Sequence, residues 1–280
     1  MRGSGVALER LTAHRDSATF PCGRTSEIPE PANTEEAPVK VWILLIAALL
    51  SFACSTIVMA ASALDPEQAE RLRAILDAPL PDAKEYTRPQ LAQIYVQRGK
   101  AAGEQGDSER AVKEFNLGIQ AVGAKNPASY ELHHELAGRH ADRGEHRLGM
   151  ETRKAALAVA RTVPRQLTQV SLITLSLSTL GEREEARQFV ARAEGLLAGA
   201  RSHPGWANNG DLWTARVAMA SARFHEAFGY LKEAEENFRL CTVSLRAHLR
   251  NRPDGAQNAL FWRRYCTQRW IEVALGVGRI

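Results

Sequence analysis

The chain has 280 residues, 45% hydrophobic and 24% charged, with a formal net charge of +4 at pH 7. That length can bury one core or a stacked array of small ones, and the composition is ordinary for a globular protein. The charge is spread along the chain without a long Lys/Arg block, so nothing in it calls for nucleic acid as a partner.

Residues 1–39 show no helical or strand period and carry Pro, Ser, Thr and Glu, which predicts a disordered extension. A true start at Val39 would account for it. Residues 40–63 combine Lys40, an uncharged stretch from Val41 to Leu64, and the small residues Ala61-Ser62-Ala63. This is the anatomy of a secretory signal peptide. The same stretch is long enough to be an uncleaved membrane anchor, and Lys40 suits that orientation too. Cleavage places the protein in the periplasm or outside the cell. Retention places it at the inner membrane, held only through residues 41–64, with the rest outside the cytoplasm. Cys54 follows Ser51-Phe52-Ala53, a poor lipobox.

Residues 64–280 are predicted to form one helical domain. "LDPEQAERLRAILDAPL" reads as a short amphipathic helix with Leu72, Ile75 and Leu76 inward. Next come four units built on glycines Gly106, Gly144, Gly181 and Gly229. Seven residues before them stand Gly99, Ala137, Thr174 and Ala222. Five after stand Ala111, Gly149, Ala186 and Ala234, and twelve after stand Gly118, Ala156, Ala193 and Cys241. Phe115, Arg153, Val190 and Phe238 lie four residues beyond the first small residue of each second helix. Seven residues make about two helical turns, so the small residues share a face and let two helices approach closely. The anchor glycine ends the first helix in a left-handed conformation. Asp107, Glu145 and Glu182 then suit the start of the second helix. The predicted hairpins span about 87–124, 128–161, 165–200 and 208–250. "RSHPGWANNGD" (201–211) is expected to be a loop. A capping helix over about 256–275 carries the stripe Ala259, Trp262, Cys266, Trp270 and Val273.

The pattern resembles the tetratricopeptide repeat family over roughly residues 87 to 250. Gly99, Ala111 and Phe115 match its Gly and Ala-x3-Phe positions, and Tyr95 takes the place of its first aromatic residue. Arg153 replaces an expected aromatic and Thr174 an expected small residue. The resemblance implies an all-α, right-handed superhelical array of about four hairpins with flanking helices. It also implies a concave groove for a protein or peptide. By local register the groove residues are Gln93, Lys100, Glu131, His134, Thr168, Ser171, Leu175, Ser178, Arg216, Met219, Arg223 and Glu226. The same residues would serve equally as the solvated face of a scaffold. Arg216 and Arg223, two turns apart, offer contact to an acidic partner.

No catalytic motif emerges. "HHELAGRH" (133–140) fails the H-E-x-x-H pattern, because the second histidine would have to fall at Gly138, so its histidines are expected to be solvated or groove-lining. No G-x-S-x-G, P-loop or dinucleotide fingerprint is present. No cofactor or metal is expected. The sequence therefore points to a non-catalytic interaction scaffold in a bacterial cell envelope. A membrane-anchored assembly factor and an accessory or sensor part of an enzyme system are the alternatives. Cys241 sits at a small packing position and Cys266 on the capping stripe. Both a disulfide, closing a loop of about 25 residues, and two buried thiols fit.

Overall fold

A computed structural model of the chain describes residues 65–252 and 256–278, all helix and turn without strand. The readings of residues 1–39 and 40–63 lie outside the described residues. Among the described residues, no helix is long and apolar enough to cross a membrane.

Among the described residues, ten α-helices follow one another: α1 (Pro66–Asp77), α2 (Arg88–Glu104), α3 (Ser108–Val122), α4 (Tyr130–Asp142), α5 (His146–Val159), α6 (Val163–Leu180), α7 (Arg183–Ala200), α8 (Trp206–Ala227), α9 (Leu231–Asn251) and α10 (Ala256–Gly276). A 3-10 turn, Pro127–Ser129, leads into α4. Each helix packs on the next in sequence, and α2 also meets α4, α6 meets α8 and α8 meets α10. Consecutive antiparallel hairpins thus stack through their first helices at both ends of the array.

The hairpin turns share one closure. Gly106, Gly144, Gly181 and Gly229 have φ of 81°, 75°, 76° and 83°. The residue after each glycine donates its N–H to the carbonyl five residues back: Asp107 to Ala102, Glu145 to His140, Glu182 to Leu177 and Tyr230 to His225, at 2.8–3.0 Å. Each glycine donates to the carbonyl three back. These bonds satisfy carbonyls that a helix end leaves without partners, and only glycine takes the required φ without strain. After the first turn, Asp107 caps α3 by accepting from the Arg110 N–H at 2.9 Å.

Small residues then bring the helices together. Ala111, Ala137, Ala156, Ala186, Ala222 and Ala234 are fully buried, as are Phe115 and Phe238. A Cβ on Gly99 would lie 2.3 Å from the Phe115 ring, so glycine is what lets the ring fill that space. Gly103 has a different use, because a Cβ there would meet the Arg139 guanidinium at 3.3 Å. Ala111→Leu and Ala186→Leu are each expected to cost about 1–3 kcal/mol by overpacking. Thermal unfolding reads this directly; an unchanged melting temperature in both would refute the repeat register.

Two expectations change. Ile75 is 38% exposed, while Leu72 and Leu76 carry the buried face of α1. The loop expected over 201–211 is shorter, because α8 begins at Trp206. Trp206 packs edge-on against Trp213, and Gly210 leaves room for the Trp206 indole, which a Cβ would meet at 2.7 Å. This aromatic contact recruits a segment whose Asn and Gly content disfavours helix.

At the far end, α10 packs on α9, and Cys241 and Cys266 form a disulfide with Cα atoms 6.2 Å apart. Both cysteines are fully buried in an apolar cluster with Ala222, Phe238, Leu245 and Val273.

Candidate functional site

The "HHELAGRH" stretch forms most of α4, and its three histidines have separate fates. His133 is buried, with Nε2 3.1 Å from the Ala124 carbonyl. His140 is buried, with Nδ1 2.6 Å from Glu145 Oε2 at the following turn. Both hold local structure, so the expectation of solvated or groove-lining residues fails for them. His134 is half-buried, with Nδ1 3.0 Å from Gln169 Nε2 on α6. Gln169 also donates to the Tyr130 hydroxyl at 2.9 Å. Among the described residues, no group of His, Cys, Asp and Glu could hold a metal ion.

Burial holds His133, His134, His225 and His248 below the usual histidine range; for His133 the bond to Ala124 partly opposes this. These groups take up a proton less readily in the fold than in the unfolded chain, where they titrate near pH 6.5. Their contribution to stability is therefore complete above about pH 6.5 and is lost as pH falls below it. The melting temperature is expected to drop between pH 7.5 and 5, with a shallower drop in His133→Gln. A flat profile would contradict this.

A cavity of about 500 Å³ lies between α4, α5, α6, α8, α9 and α10. His134 and Glu135 reach it from α4, Arg153 from α5, Thr168 and Leu172 from α6, and Leu212, Arg216 and Met219 from α8. Leu245 and His248 of α9 and Asn258 and Trp262 of α10 complete the wall. Arg216 donates to Thr168 Oγ1, tying α8 to α6.

Of the twelve expected groove residues, His134, Thr168, Arg216 and Met219 meet at this cavity. Gln93 and Lys100 are exposed on α2, and Lys100 pairs with Glu135 at 2.8 Å. Glu131 pairs with Arg165 at 3.1 Å, and that guanidinium lies 4.5 Å over the Tyr130 ring. Leu175 packs on the apolar cluster of α8, α9 and α10. Ser171 and Ser178 are buried and leave the groove set, because α6 is covered by neighbours on more than one side. The Ser178 hydroxyl donates back to the Thr174 carbonyl. Arg223 is not free for an acidic partner: it pairs with Glu226, which also takes Arg269 of α10.

The residue that sequence reasoning missed is Arg153. It occupies the slot filled by Phe115, Val190 and Phe238 in the other hairpins, and it is buried like them. The signal was visible as a charged residue breaking an apolar series. The contributions of α9 and α10 carried no such signal.

No protein-family model matches the chain, and no curated protein is found to be similar to it.

Proposed function

We propose that the chain is a non-catalytic binding module, a tetratricopeptide-like right-handed superhelix that holds a protein or peptide partner against the face built by α2, α4, α6 and α8. The observation that carries this reading is convergence. Side chains from three hairpins, far apart in sequence, line one cavity whose walls mix apolar and cationic groups. Cavities of this size and mixed lining are typical of binding sites. The buried disulfide supports export, since such bonds persist in oxidising compartments. The signal-like residues 40–63 support the same location.

A membrane-anchored assembly factor is the second reading, favoured by the uncharged stretch from Val41 to Leu64. Mass spectrometry of the protein from its host separates the two. A new terminus close to Leu64 is expected for the exported module, and the intact chain in the membrane fraction would instead establish the anchor. The binding reading itself is tested by affinity capture from an envelope extract, comparing the native chain with Arg216→Glu. A partner retained by the first and lost by the second is expected; identical capture profiles would remove the cavity from the interface.

A further inference from the structure

The cavity holds two cations that the fold leaves uncompensated. Arg153 is 8% exposed, and its Nε has no hydrogen-bond partner. Neither Arg153 nor Arg216 forms an ion pair among the described residues. Arg216 has only the neutral Thr168 hydroxyl, which itself donates to the Pro164 carbonyl. Of the carboxylates near the cavity, Glu135 pairs with Lys100, Glu131 with Arg165 and Asp142 with Arg139, while Asp211 acts on His248. A guanidinium does not shed its proton in a protein, so it cannot escape burial by becoming neutral. Desolvating such a charge without an anion is costly. Burial lowers the proton affinity of both groups, in keeping with that cost. The rest of the wall combines the apolar Leu172, Leu212, Met219, Leu245 and Trp262 with the polar His134, Glu135, Thr168, His248 and Asn258.

We infer that this cavity binds a small organic acid, its carboxylate held by Arg153 and Arg216 and its apolar body laid against Leu172, Leu212, Met219 and Trp262. This rests on the reading of the cavity as a binding site and adds a small ligand to the protein or peptide partner held on the same face. The planar fork of a guanidinium matches the two oxygens of a carboxylate. Leu172, Leu212, Met219 and Trp262 offer a surface to an apolar body, which inorganic phosphate lacks. The volume of about 500 Å³ lies within the usual range for small-molecule sites.

The test is calorimetric titration of the full chain with decanoate, with decanol, and with inorganic phosphate. Decanoate is expected to bind at least about tenfold more tightly than either of the others. Arg153→Gln and Arg216→Gln should each weaken decanoate by about tenfold or more, while Arg192→Gln, an exposed change on α7, leaves it unaltered. Circular dichroism of each variant establishes that it is folded, and the three-ligand comparison on the native chain stands even if one variant is not. Equal binding of decanol, equal binding of phosphate, no binding of decanoate, or folded Arg variants with native affinity would each overturn the inference. If decanoate does not bind but Arg216→Glu still abolishes partner capture, this inference falls and the binding-module reading survives.

Discussion

Arg98→Met is expected to destabilise the array by about 3–5 kcal/mol, the usual loss when one partner of a buried ion pair is removed. Arg98 and Glu114 are both buried, 5% exposed each, and meet through two bonds of 2.8 and 3.0 Å. The same guanidinium donates to the carbonyls of Ile75, Leu76 and Ala78 at the end of α1. It therefore compensates a buried carboxylate and closes a helix terminus at once. Its hydrogen bond to Glu114 in turn holds the Arg98 guanidinium above its already high usual range. Removing Arg98 strands the carboxylate and frees the end of α1, although Arg110 still donates to the Leu76 carbonyl at 2.8 Å. The double change Arg98→Met with Glu114→Leu should recover much of the loss, because no buried charge is left alone. Urea unfolding of the three variants measures this. A loss below about 1 kcal/mol for the single change would show that the pair is not buried as described.

Removing the Cys241–Cys266 bond is expected to cost about 3 kcal/mol. The two residues are separated by 25 positions, and in the chain-entropy account a loop of that length restricts the unfolded state by roughly this amount. Cys241→Ala is the mildest way to break it, since Ala156 and Ala193 hold the same place in other hairpins. Both sulfurs are buried, so a reductant is expected to act only as α10 opens. Peptide mapping without reduction should yield one linked pair containing Cys241 and Cys266. Recovery of these peptides only as free thiols would contradict the bond, and native stability in Cys241→Ala would show that it contributes nothing.

The hairpins were legible in the sequence for a local reason. A glycine with φ near 80° followed by an acidic residue fixes a turn wherever it occurs, and Gly106, Gly144 and Gly181 each show it. Gly229 shows the turn without the acid: Tyr230 follows it, and α9 begins with Glu233 in its first turn. The small residues at fixed offsets were equally readable, because close helix contact excludes larger ones. The start of α8 was hidden, since Trp206 and Trp213 override the weak helix propensity of the Asn and Gly around them. The cavity was half legible. His134, Thr168 and Arg216 follow from register within first helices. Trp262 and His248 depend on how α9 and α10 return across the array, which no local pattern encodes. Arg153 was visible but read as a flaw in an apolar series, and its environment comes only from the stacking of α5 on α6.

The most direct test of the cavity as a binding site is a photoreactive residue at Gly138. This position lines the cavity, and a Cβ there meets nothing within 4 Å, so a side chain can start from it without a clash. Gly195, on the exposed side of α7 and equally open, is the control. Irradiation of cells carrying the full chain is expected to give a discrete crosslinked partner from Gly138, absent from Gly195 and lost on adding Arg216→Glu. Crosslinking that is equal at the two positions, or absent from Gly138, would contradict the account.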